Sequence, residues 1–171
     1  MDNLMRMIQL ADGFFETKND PTQLDINEEV MEQLRAVHPA TMGEISNDDG
    51  PVAWSIVIPT SRSVREKFVK GEIGERELMS MTMADRTIGP FAQSERSAEH
   101  VKLTSLYLCS ALVLPEFRGK GLAKKLVLDS IHAIQKDHPI EELFVWAFSG
   151  EGNMLAERIA GELDLPLYRK Q

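Results

Sequence analysis

The sequence predicts an α/β fold, a sheet flanked by helices, and three features carry that prediction. A strand–helix–strand unit runs from Leu103 to Phe148, and a hairpin signal, Asn47-Asp48-Asp49-Gly50, joins two further strands. Amphipathic helices lie on either side of these strands. At 171 residues the chain has the length of one domain, 1–171, with a helical and loop insertion expected over about 60–103.

Taken in order, Leu4, Ile8, Ala11 and Phe15 recur at helical spacing and predict a helix over 3–15. A second helix is expected to start at Asp25, with Glu28 as its capping-box partner, and to stop at His38-Pro39. Residues 41–46 and 52–58 read as the hairpin strands. Ser61 to Val69 and Glu75 to Thr82 read as helices, although Met79, Met81 and Met83 alternate as strand residues do. The polar stretch 84–102, with Gly89-Pro90, reads as a loop. Leu103 to Leu114 is apolar on both faces, as a central strand is, and Pro115 ends it. A helix from Lys120 to Lys136 then leads to a buried strand, Leu143 to Phe148; this crossover makes the two strands parallel. Gly150, Gly152 and Asn153 precede a helix from Met154 to Leu163 and a short extended tail at 165–169.

Composition excludes several classes. With 19 Lys and Arg against 27 Asp and Glu, the net charge of −8 argues against generic nucleic-acid binding. No apolar run approaches the ~20 residues of a membrane span, and Arg6, Gln9 and Asp12 interrupt the opening segment where a signal peptide would be apolar. No membrane partner and a cytoplasmic location are therefore expected. The single cysteine, Cys109, excludes an internal disulfide and a cysteine zinc cage, and no metal is expected. His132 and His138, six apart, do not share a metal-binding face and read as surface residues; His38 reads as a helix end and His100 as loop. Trp54, Trp146 and Phe148 read as core. A homodimer is compatible with all of this.

One window departs from the acidic average. Residues 117–128 carry Arg118, Lys120, Lys124 and Lys125 with no acidic residue, at the start of a helix where the macrodipole disfavours cations. A bound anion explains such a concentration of positive charge. Gly119 and Gly121 let the backbone bring several N–H groups close to it, as a phosphate cradle requires. The Walker A spacing is absent, and Lys124 stands where a dinucleotide fingerprint needs glycine or alanine.

What remains, Arg118-x-x-Gly121-x-Ala123 after a strand ending Ala111-Leu112-Val113, resembles the pyrophosphate signature of the GNAT-type N-acetyltransferase superfamily. The likeness covers residues 103–148. It implies a mixed, mostly antiparallel central sheet with a splayed parallel strand pair, flanked by helices. It also implies an acyl-CoA donor, acetyl-CoA above all, and an amine acceptor. By the resemblance, Ala111, Leu112 and Val113 offer backbone groups to the pantetheine arm. Arg118, Gly119, Lys120, Gly121, Leu122 and Ala123 wrap the pyrophosphate, one of Lys120, Lys124 and Lys125 reaches the ribose 3′-phosphate, and Asn153 takes a cofactor-binding position.

The sequence departs from the family in its acid and base. Where many members hold Glu or His as base, this chain has Tyr107, with Cys109 two residues on. A phenol and a thiol ordinarily titrate at about 10 and about 8.5, so neither is an efficient base at neutral pH. Packing and catalysis are equally open to this pair. The position of the family's acid tyrosine falls on Ala160, counted from Asn153, or on Ala156, counted from Ser149. Glu95, Glu99 and Glu116 read as solvated and could serve as base only if residues 60–103 fold over the acyl site. Two functions follow: an N-acyltransferase acting on a primary amine, or a catalytically inactive CoA-binding regulatory or structural module. A phosphate-binding protein unrelated to CoA is a weaker third.

Overall fold

The computed structural model describes residues 2–18, 23–96, 102–146 and 149–170. Helices α1 (Asn3–Lys18) and α2 (Glu28–Val37) precede the hairpin β1 (Met42–Asn47) and β2 (Gly50–Thr60). Helices α3 (Arg62–Val69) and α4 (Glu75–Arg96) follow, then β3 (Ser105–Val113) and a single 3-10 turn at Pro115–Phe117. Helix α5 (Leu122–Gln135), β4 (Glu142–Trp146), α6 (Gly150–Leu163) and β5 (Leu167–Lys170) complete the order.

The strands form one five-stranded sheet in the order β1-β2-β3-β4-β5. β1, β2 and β3 pair antiparallel in the longer ladders; β3, β4 and β5 pair parallel in shorter ones. The sheet is thus mixed and mostly antiparallel, with helices on both faces, as expected. Helices α5 and α6 cover one face through Val127, Ile131, Ile134 and Ile159, against Val57, Leu106 and Leu143. On the other, α2, α3 and α4 bring Leu34, Phe68, Leu78 and Met79 against Ile58, Tyr107 and Phe144. Helix α1 extends this second layer over the far end of β2 and β3, where Met7 meets Val52, Leu112 and Leu114. Apolar area leaving water at both faces is the main stabilising term.

Several expectations need correction. Helix α1 buries Met7 with Leu10, Ala11 and Phe14 behind it, whereas Leu4 and Ile8 are exposed. Its roll is fixed by polar contacts that periodicity does not register: Asn3 Nδ2 donates to Asn47 Oδ1, and Arg6 pairs with Glu116 at 2.6 Å. The cap of α2 is Asn27, whose side chain accepts the Val30 N–H at 2.9 Å, and not Asp25. Residues 84–96 are helix, not loop. The first turns of α4 are anchored by Leu78, Met79 and Thr82, and propagation carries the helix past Pro90 at the loss of one backbone hydrogen bond. Helix α6 starts at Gly150 because Ser149 caps it by accepting the Gly152 N–H. β4 ends at Trp146, and the expected extension to Phe148 lies outside the described residues. His138 is half-buried and not a surface residue; its ring meets buried His38, which shares a 2.6 Å hydrogen bond with Asp137. Trp54 and Trp146 are half-buried at the rim of the core and not within it. Residues 97–101, which include Glu99 and His100, lie outside the described residues.

Candidate acyl-donor site

The site begins with an irregularity in β3. Ile56 pairs with Ser110 and Val57 with Leu108, so Cys109 is the extra residue of a β-bulge in the register with β2. The bulge inverts the side-chain alternation. Before it, Leu106 and Leu108 face α5 and α6 while Tyr107 and Cys109 face α3 and α4; after it, Ala111 and Val113 face the α5 side. The parallel ladder to β4 stops at Leu108 and Val145, one residue short of the bulge. Among the described residues, β3 from Ser110 to Val113 therefore has β2 on one side and no paired strand on the other.

That edge carries a definite set of open groups. The Leu114 N–H bonds the Val52 carbonyl, so the two-residue alternation points the amide groups of Leu112 towards β2 as well. Those of Ala111 and Val113 point to the open edge. Arg118 Nε donates to the Val113 carbonyl at 2.9 Å, which among the described residues leaves the Ala111 N–H and C=O and the Val113 N–H open. Leu112, expected to offer backbone groups, is committed to the sheet.

The open edge runs straight into a turn of alternating backbone sign. Gly119 and Gly121 have φ of 78° and 75°, a conformation that glycine adopts without steric penalty. Gly121 caps α5, with Leu122 and Ala123 in its first turn. No N–H from Gly119 to Lys124 bonds a protein acceptor among the described residues, and a Cβ at either glycine would meet nothing within 4 Å. Unsatisfied N–H groups, a helix N-terminus and open space beside both glycines suit an anionic phosphate.

The basic residues divide. Lys124 pairs with Glu162 at 3.0 Å and Lys125 with Asp129 at 2.8 Å. Lys120 is exposed beside the cradle, its Nζ 5.4 Å from the centre of the Phe117 ring. Asn153 stands in α6, and its Oδ1 accepts from Arg169 of β5 at 2.7 Å. Ala156 and Ala160 are buried, and Tyr168, in β5, has the Arg65 guanidinium 4.0 Å above its ring.

On the opposite face from α5, Tyr107 and Cys109 converge on a residue that sequence reasoning missed. Glu75, the first residue of α4, is 1% exposed. Its Oε2 accepts from Tyr107 at 2.5 Å and lies 3.6 Å from Cys109 Sγ, while Oε1 accepts the Leu24 N–H at 3.0 Å. Burial, then the charges of Glu75 and Cys109, hold the Tyr107 phenol well above its ordinary 10.0. In sequence, Glu75 looks like an ordinary acidic residue complementing a helix start, and no local pattern singles it out. Glu116 is paired with Arg6, whose hydrogen bond lowers its pKa.

Residues 47–149 match the family model described as "Acetyltransferase (GNAT) domain", a span that takes in β2, the bulged strand, the cradle and β4. Among curated proteins, no relative matches the chain. The matched span covers more than half of the sequence and contains both the open edge and the glycine turn, so the chain belongs to the GNAT acetyltransferase family.

Proposed function

We propose that the protein is an N-acyltransferase that moves an acetyl or other small acyl group from acyl-CoA to a primary amine of a small molecule or peptide. The observation that carries this reading is the edge of β3 that no strand pairs among the described residues, leading directly into the open amide cradle. Ala111 and Val113 would hold the pantetheine amides as an added strand would, and Gly119 to Ala123 would hold the pyrophosphate. The thioester supplies an activated acyl carbon. The chain's own part is to align that carbon with the amine, keep water out and handle the amine's proton. Buried Ala156 and Ala160, where an acid tyrosine is expected, favour the second reading, a CoA-binding module without turnover.

Thermal shift with CoA, run beside a thiol-release assay over a panel of primary amines, separates the two. Transfer to an amine supports the enzyme; binding without transfer to any of them supports the module. Gly121→Trp fills the cradle and is expected to abolish the CoA-induced shift. A side chain at this φ costs about 1–2 kcal/mol, a loss of a few degrees in Tm at this chain length. A folded Gly121→Trp chain that still binds CoA would sink the cofactor assignment.

A further inference from the structure

Acyl transfer to an amine releases a proton from nitrogen and needs one at the departing sulfur. Neither task has an obvious owner on β3 or α6. The phenol of Tyr107 is held in its protonated form, and the two positions open to an acid tyrosine are buried alanines. The Glu75 network is a group of buried proton-bearing side chains that reaches the bulge. It faces Tyr107 and Cys109 from β3 and the Leu24 amide from the segment before α2. β5 brings Lys170 to the Ile73 carbonyl at 3.5 Å, and α3 presents the Phe68 ring, 4.9 Å from that of Tyr107.

Resting on the N-acyltransferase reading, we propose that Tyr107 and Glu75 form a single proton shuttle that serves both halves of the transfer. The amine nitrogen bonds to the acyl carbon, and its proton passes to Tyr107 Oη as the phenol's own proton passes to Glu75 Oε2. The carbon–sulfur bond then breaks, and the reverse shuttle returns the proton to the departing sulfur. The products are an amide and free CoA thiol, with the shuttle reset. Glu75 acts through Tyr107, so a strand without a carboxylate acquires one from α4. One hydrogen-bonded pair replaces a separate acid and base.

The experiment uses acetyl-CoA and the best amine of the panel, with kcat followed against pH. Wild type is expected to show a limb in which kcat rises with pH and which stays in place when an amine of different basicity is used. Glu75→Gln and Tyr107→Phe are each expected to lower kcat at least about 100-fold and to remove that limb. The double variant should fall no further than the worse single one, because the pair acts as a unit. The CoA-induced thermal shift should match wild type in all three. Activity retained within about threefold, or an equal loss at every pH with the limb intact, overturns the shuttle and leaves Glu75 a packing residue. If Glu75→Gln does not fold, Tyr107→Phe and the wild-type limb decide. A limb that follows the amine's basicity overturns the proposal; one that does not, and that vanishes in Tyr107→Phe, supports it. A wild-type chain that binds CoA and acylates no amine overturns the enzyme reading, and the shuttle with it.

Discussion

Two of the four cations between Phe117 and Leu128 already have carboxylate partners, which changes what the basic window can do. Lys124 and Lys125 are held by Glu162 and Asp129, and Arg118 spends its Nε on the Val113 carbonyl. Arg118 and Lys120 have no carboxylate partner among the described residues, and of these two it is Lys120 that makes no hydrogen bond to the protein there. Lys120→Ala is therefore expected to weaken CoA binding by about 0.5–1 kcal/mol, roughly two- to fivefold in Kd, with the difference shrinking as salt rises. Lys125→Ala should change Kd less. Equal effects from both lysines, measured by titration calorimetry, would show that the whole patch acts as a diffuse charge. The cradle was readable in advance because a glycine turn at a helix start is a local feature. Glu75 was not: it meets Tyr107 across 32 residues, and only the packing of α4 on the sheet creates that contact.

At the scale of elements, α3 is tied to β4 by a buried ion pair. Arg65 Nε donates to Glu142 Oε2 at 2.5 Å, and Arg62 Nε donates to Oε1 at 3.2 Å. Arg65 and Glu142 are 9% and 3% exposed. Glu142→Ala takes the close partner from the buried Arg65 guanidinium and leaves it Glu66 at 3.9 Å, and a loss of about 3 kcal/mol in denaturant unfolding is expected. Combining Glu142→Leu with Arg65→Met removes both charges and should recover most of it. If the double variant is no more stable than Glu142→Ala, lost packing explains the cost. The same scale separates legible elements from illegible ones. β3, α5 and β4 announce themselves because apolar periodicity and their turn residues agree. The second half of α4 does not, since Gly89-Pro90 is a local breaker overridden by a helix already anchored at Leu78 and Met79. The bulge at Cys109 has no signature within β3, because an extra residue exists only relative to the strand that faces it.

Across the whole molecule, the network that connects α4, the segment before α2 and β3 links stability to pH. The Tyr107 phenol titrates well above 10.0 in the folded chain, chiefly because burial disfavours the phenolate. The stabilisation this represents is fully present below the ordinary value and is lost as pH rises towards the folded one, because the unfolded chain releases the proton first. Wild-type stability is thus expected to fall above pH 10.0 by up to about 1.4 kcal/mol per pH unit from this group. Tyr107→Phe has no such proton. Below that range it should be less stable than wild type by about 1.5–3 kcal/mol, the worth of a hydrogen bond to a charged acceptor. Above it, the gap should narrow, since wild type loses a contribution that the variant never had. Urea unfolding of the two chains at matched pH measures that gap directly. A gap that stays constant, or widens, through the alkaline range would mean that the phenol ionises without resistance in the folded state.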